Sequence, residues 1–181
     1  MLPQFLEKLI ERAKENKLTD RITAKQMLMD SLNFDEESFD VIWSEVAIYN
    51  IGFEKGLSLW RKYLKEEGYI AVSEISWLTD ERPEEIENYW VNAYPEIDTI
   101  WNKLSVIEKC GYEIIAHIVL DEKCWIDNYY KPLESNTENF LRRYDYADEV
   151  KDFIEQGKEE ADLYHRYKDY YSYVFYIAKK K

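Results

Sequence analysis

Two short apolar runs decide the fold: FDVIWS, from Phe39 to Ser44, and YIAVS, from Tyr69 to Ser73. Each run has the length and composition of a strand that is buried on both faces of a parallel sheet. Between them, apolar residues recur at spacings of four, three and four, at Phe53, Leu57, Trp60 and Leu64. This spacing predicts an amphipathic helix that ends near Gly68. Strand, helix and strand within about 35 residues have the size of one right-handed βαβ unit, so the stretch predicts an α/β fold.

The same patterns extend the prediction to both sides of this unit. The predicted elements are a first helix ending near Asn16, a short strand over Arg21–Met27, a helix from Thr79–Asp80 to Tyr94, a helix through Ile100–Ile107 capped by Gly111, a strand over Tyr112–Leu120, a loop-rich stretch from Asp121 to Asn139, a helix over Asp148–Tyr167 and a closing strand, YYSYVFYIA. No repeat or flexible linker interrupts them. Residues 1–181 are therefore predicted to form one α/β domain.

Composition and charge narrow the classes of function that the chain could have. The 181 residues include 37 acidic and 24 basic side chains, a net charge of −13, which argues against a nucleic-acid partner because phosphate binding needs a basic face. Aromatic residues make up 16% of the chain, enough for an ordered core and too many for intrinsic disorder. Only 5 glycines occur, whereas a chain that binds a nucleotide normally uses several in its phosphate loop.

The cysteines and the chain start indicate a cytoplasmic protein without a membrane partner. The opening residues show no secretory signal, and charged residues interrupt every apolar run. Cys110 and Cys124 form no CxxC pair, and we interpret them as small buried or half-buried thiols. With only His117 and His165, far apart in sequence, no metal site is predicted.

The linked order of these segments resembles the second half of class I S-adenosylmethionine-dependent methyltransferases. LNFDEESFDVIWSE (Leu32–Glu45) is similar to the loop that leads into the family's fourth strand, and GYIAVSE (Gly68–Glu74) to the entry into its fifth. The similarity continues through SWLTDERPEEIENYW and IEKCGYEIIAH to KDYYSYVFYIAKK, which resembles the family's reversed last strand. The resemblance implies an incomplete Rossmann-like sheet, made of family strands 3, 4, 5, 6 and 7 with flanking helices.

The chain departs from the family at its start. Family members begin with a strand, a GxGxG loop that cradles the cofactor and a second strand ending in an acidic residue, and this sequence contains none of the three. Met1 falls at, or just after, the position of that acidic residue. We therefore expect an N-terminally truncated member, or a start assigned to an internal methionine. A remnant without this segment would expose the outer flank of the fourth strand as an unpaired edge, which invites pairing with another chain, with a rearranged third strand or in aggregates. Pairing with a second copy of the chain would give a homo-oligomer.

The resemblance also implies which residues bind S-adenosylmethionine. Asp30 matches the position beside the adenine amino group, and Met29 would pack on the ring; without the family, Asp30 would be interpreted as an ordinary turn residue. Ser44, at the end of the fourth strand, would contact the methionine part of the cofactor.

Substrate-side residues follow the same strand ends. Glu45, Tyr49 and Asn50 are expected to face a methyl acceptor, with Glu45 the candidate general base, although Glu45 is equally well explained as a cap for the next helix. Glu74, at the end of the fifth strand, has the same two interpretations. Trp77 belongs to an aromatic stretch that forms either a lid over the substrate or, more often at helical spacing, core.

Two functions remain open. The first is an enzyme, a methyltransferase that acts on a small molecule with S-adenosylmethionine as donor. The second is a non-catalytic remnant that serves as a binding or oligomerisation module.

Overall fold

A computed structural model describes residues 3–181 and shows a five-stranded sheet with helices packed against it. The strands are β1 (Phe39–Ser44), β2 (Leu64–Trp77), β3 (Asp98–Thr99), β4 (Tyr112–Val119) and β5 (Tyr171–Lys180). The α-helices are α1 (Pro3–Glu15), α2 (Phe53–Trp60), α3 (Glu84–Ala93), α4 (Ile100–Lys109), α5 (Glu122–Trp125), α6 (Lys131–Arg143) and α7 (Asp148–Tyr167). The predicted α/β class is therefore correct. The position of Met1 lies outside the described residues.

The sheet order is β1-β2-β5-β4, and it confirms the predicted βαβ unit. β1 and β2 pair in parallel, whereas β5 runs antiparallel between β2 and β4. The two-residue β3 pairs with the last residues of β2. Since β5 occupies the other side of β2, β3 lies on the same side as β1, beyond the carboxyl end of β1.

The helix of the βαβ unit is shorter than predicted. α2 ends at Trp60, and Leu64 already pairs with Phe39 as the first residue of β2. The next matched pair is Val41 with Tyr69, so residues 65–68 bulge out of the ladder. Gly68 lies inside this bulge rather than at a helix end. A β-carbon at this position would come within 2.9 Å of the carbonyl oxygen of Lys65, which explains why the residue is a glycine.

The predicted strand over Arg21–Met27 does not form. Residues 22–27 make no backbone hydrogen bond within the described chain, although Ile22 and Ala24 are half-buried and their neighbours exposed, as in a strand. A strand needs a hydrogen-bonding neighbour, and no described strand lies beside this segment or along the outer edge of β1.

Two further element boundaries are corrected. α3 starts at Glu84, after Pro83, rather than at Thr79–Asp80, because proline is suited to a helix start and cannot sit further inside. The stretch from Asp121 to Asn139, predicted as loop-rich, is mostly helical. Burial of Trp125 and Tyr130 against α7 and β5 stabilises it, a tertiary effect that local composition does not show.

The apolar core has two parts. The larger cluster packs α2 and α4 onto the sheet through residues such as Leu57, Ile107 and Tyr112. The second cluster joins α7 and the turn after α5 to the ends of β2 and β5, around Trp125, Tyr164 and Tyr171. None of the helices in the described part of the chain is long and apolar enough to cross a membrane.

Candidate functional site

The candidate site is a cavity of about 400 Å³ along the outer edge of β1. Residues 41–45 all line it, and because successive strand residues point to opposite faces, the cavity follows the edge of the strand rather than one face. The rest of its wall comes from the segment before β1 and from the end of α2. The lining residues are Met29, Leu32, Phe34, Phe39, Val41, Ile42, Trp43, Ser44, Glu45, Ala47, Trp60 and Tyr63.

Ser44 contributes a buried polar group to this wall. It is the last residue of β1 and only 8% exposed, yet its hydroxyl has no hydrogen-bond partner within residues 3–181. A buried hydroxyl without a partner is unfavourable, because it has lost water and gained nothing in return. Its position beside a cavity makes it available to a ligand.

Glu45 follows Ser44 and is exposed at the same cavity. Its alternative role as a helix cap is not seen: no side chain of the described residues caps the short 3-10 turn at Ile48, and the amide of Phe53, at the start of α2, donates to Glu96 Oε2 at 3.0 Å. The Glu45 carboxylate is therefore free of a capping role at either element.

The structure separates the two predicted adenine-side residues. Met29 lines the cavity, and its carbonyl oxygen accepts a 2.9 Å hydrogen bond from the indole of Trp60, which ties this segment to α2. Asp30 is not among the lining residues and instead lies 3.6 Å from the Lys55 ammonium, with much of its side chain exposed.

Tyr49 and Asn50 lie on the 3-10 turn beyond the cavity. Tyr49 is 41% exposed and packs edge-on against Tyr94, with ring centroids 6.1 Å apart. The Asn50 side chain donates to the carbonyl oxygen of Ala47 and so closes the turn on itself. Neither residue lines the cavity of Ser44 and Glu45.

Glu74 and Trp77 are not brought to this cavity either. Trp77 is buried in the second core cluster, where the Arg82 guanidinium lies 4.3 Å from its ring centroid. Glu74 is fully buried and pairs with Lys103, whose ammonium is 3.2 Å from Oε1, while the Tyr94 hydroxyl donates to the same oxygen. The sequence pattern gave no sign of this buried network, because Lys103 and Tyr94 sit on separate elements far from Glu74 in the chain.

Burial governs the electrostatics of the network. Loss of hydration raises the pKa of Glu74 above its usual value, and the nearby Lys103 ammonium and the Tyr94 hydrogen bond only partly oppose this rise. Burial, reinforced by the charge of Glu74, also raises the pKa of Tyr94 far above the usual value of tyrosine. Tyr94 therefore stays a neutral hydrogen-bond donor across the physiological range.

Comparison with known proteins gives this architecture a family context. A family model described as a methyltransferase domain matches residues 3–72, the part that holds α1, β1, α2 and the first half of β2. A search of curated proteins finds no match.

Solved structures resemble the whole chain. YjhP from E. coli is 19% identical, with a TM-score of 0.84 over 100% of this chain and 74% of its own. A SAM-dependent methyltransferase from Thiobacillus denitrificans, crystallised with S-adenosyl-L-homocysteine, is 17% identical, with a TM-score of 0.81 over 98% of this chain and 72% of its own. The [4+2]-cyclase SpnF is 17% identical, with a TM-score of 0.71 over 94% of this chain, which spans only 60% of the cyclase.

The chain has the class I S-adenosylmethionine-dependent methyltransferase fold, and its residues 3–72 match the methyltransferase-domain family model. The resemblance seen in the sequence is confirmed at this level. Because a cyclase shares the fold, the fold does not by itself define the reaction.

Proposed function

We propose that this protein takes part in S-adenosylmethionine-dependent methyl transfer to a small-molecule acceptor at the carboxyl end of β1. The observation that carries the proposal is the Ser44 hydroxyl, buried without a partner beside the cavity. Ligands of open α/β sheets bind at the carboxyl ends of the strands, which is where Ser44 and Glu45 lie.

The lining of the cavity supports a role for it as one side of the cofactor site. Its apolar wall, with Met29, suits an adenine ring, and Ser44 and Glu45 offer a hydroxyl and a carboxylate to polar groups. No glycine is among the lining residues, so no loop of closely approaching backbone amides is available for the carboxylate of the amino-acid part.

Two unpaired segments support a completed form of the site. Within residues 3–181, the outer edge of β1 and the extended residues 22–27 each lack the neighbour that a strand requires. We propose that additional polypeptide pairs with the outer edge of β1 and supplies the second wall of the cavity.

The chain's own residues have distinct proposed tasks. Met29 and Ser44 would hold the cofactor, with Asp30 reaching the adenine amino group once freed from Lys55. S-adenosylmethionine, when bound, supplies an electrophilic methyl group. Glu45, exposed at the cavity, would accept the proton released by an O–H or N–H acceptor. Tyr49 and Asn50, on the turn beyond the cavity, would face the acceptor, whereas Glu74 and Trp77 would support the surrounding structure.

Direct titration with labelled S-adenosylmethionine tests the proposal. We expect micromolar binding by this chain, or by the chain joined to an in-frame upstream segment if the DNA encodes a strand, a GxGxG loop and a second strand. Ser44→Ala should weaken that binding by roughly two- to tenfold, the worth of one hydrogen bond. Ser105→Ala, at a half-buried position of α4 that does not line the cavity, should leave it unchanged.

Absence of binding in both forms would favour the second candidate function, a non-catalytic binding or oligomerisation module. The open edge of β1 is the observation that supports this alternative. The cytoplasmic location, the absence of nucleic-acid and membrane partners and the single domain stay predictions.

A further inference from the structure

Val46 has a backbone conformation that valine rarely adopts. Its φ is +44°, and among residues 3–181 it is the only β-branched residue with a positive φ. The left-handed region crowds a side chain that branches at Cβ, so such a residue stays there only where its surroundings hold it. Packing does not provide that restraint, because the Val46 side chain is 45% exposed.

One hydrogen bond holds the turn. The Val46 amide donates to Ser73 Oγ at 2.7 Å, and Ser73 is almost fully buried in β2. The neighbouring residue of β2, Val72, pairs with Ser44. The bond therefore ties the chain leaving β1 to the carboxyl end of the adjacent parallel strand.

The turn carries the polar groups of the candidate site. Ser44 and Glu45 directly precede Val46, Ala47 directly follows it, and all three of these neighbours line the cavity. A change of φ at Val46 to the ordinary negative range would redirect the chain at this point and move Ala47 and Glu45 relative to β1.

We infer that Ser73 is a positioning residue, which holds the strained Val46 turn and thereby places Ser44 and Glu45 at the cavity. The inference rests on the proposed function for its consequence in binding, and on the hydrogen bond and the φ of Val46 for its structural content. A purely structural reading, in which Val46 merely satisfies a buried serine hydroxyl, makes a different prediction when the strain is removed.

Affinity for S-adenosylmethionine with and without the strained valine separates these two interpretations, and amide hydrogen exchange measured by NMR tests the hydrogen bond itself. We expect Ser73→Ala to raise the exchange rate of the Val46 amide at least tenfold, since that amide loses its only acceptor. Ser73→Ala should also lower the affinity for S-adenosylmethionine. Adding Val46→Gly should restore this affinity in the double variant, because glycine adopts a positive φ without a restraint.

Ser76→Ala is the matched control. Ser76 is a second buried serine of β2, and its hydroxyl bonds that of Tyr176 at 2.8 Å, away from the turn. Its loss should leave Val46 exchange unchanged. Unchanged Val46 exchange in Ser73→Ala, or an equal loss of affinity with and without Val46→Gly, would overturn the inference. If the wild-type protein in both forms of the titration binds no S-adenosylmethionine, the proposed function fails, and the exchange rates decide whether Ser73 holds the Val46 turn.

Discussion

At the scale of single residues, the buried pair of Glu74 and Lys103 has the largest energetic consequence. Both side chains are almost completely removed from water, and a charge there is tolerated only because the other compensates it. Lys103 also donates to the carbonyl oxygen of Glu96 at 2.7 Å, which connects the pair to the loop that caps α2. The network thus links β2, α4 and the start of α2.

Removing one partner should be far more damaging than removing both. We expect Lys103→Met to lower the free energy of unfolding by about 3–5 kcal/mol, because it leaves Glu74 buried without a counter-charge. The double variant Glu74→Gln/Lys103→Met should recover most of this loss. Urea unfolding at pH 7 measures the free energy of unfolding of the single and the double variant. Equal losses of this free energy in the two variants would contradict a coupled pair.

The raised pKa of Glu74 also predicts a dependence on pH. Because the folded-state pKa lies above the ordinary value of 4.5, the contribution of Glu74 to stability is fully present below that pH and is lost as the pH rises through the folded-state pKa. As the pH rises from 4.5 through the folded-state pKa of Glu74, we expect the free energy of unfolding to fall less in Glu74→Gln than in the wild type. Parallel curves of unfolding free energy against pH would show that Glu74 does not titrate in this way.

At the scale of elements, α2 depends on close packing against the turn that follows β1. A β-carbon at Gly56 would come within 2.6 Å of Ile48 Cγ1, and Ile48 is fully buried. This contact explains a glycine inside a helix, where it otherwise lowers helix stability. The site loop and α2 therefore occupy fixed positions relative to each other.

Two Gly→Ala variants test this packing. Gly56→Ala should lower the free energy of unfolding by about 1–3 kcal/mol through overpacking. Gly157→Ala, in the exposed middle of α7 with no atom within 4 Å of the new β-carbon, should raise it by about 0.5–1 kcal/mol. Thermal unfolding of the two variants should show shifts of opposite sign, and stabilisation by Gly56→Ala would exclude the close contact.

At the scale of the whole molecule, the sheet formed by the described residues has two open edges that differ in character. β1 is parallel to its neighbour and borders the apolar cavity, with Trp43 63% exposed. β4, at the opposite edge, pairs antiparallel with β5. An exposed apolar strand edge is a template for pairing with another chain, and β4 also exposes Ile115, Ile118 and Val119. The apolar cavity beside β1 favours β1 as the site of self-association.

Lysine substitutions distinguish the two edges. Val41→Lys should reduce self-association in sedimentation experiments, because a charged side chain on an edge strand opposes pairing. Ile115→Lys adds the same charge at a half-exposed position of β4 and should have little effect on self-association. A larger effect of Ile115→Lys would move the interface to β4, and a monomeric wild type at all concentrations would contradict association through either edge.

The sequence by itself determined the βαβ unit and the α/β class, because apolar periodicity and caps are local properties of the chain. Its motifs, in their linked order, carried the family resemblance. It also placed Ser44 and Glu45 at a strand end, and the structure puts both at the cavity. Tertiary structure alone decided the rest: residues 22–27 stay outside the sheet because pairing needs a neighbouring strand, and residues 122–143 become helical because Trp125 and Tyr130 find a buried environment. Ser73, Tyr94 and Lys103 acquire their roles from contacts between distant segments, which no local pattern in the chain records.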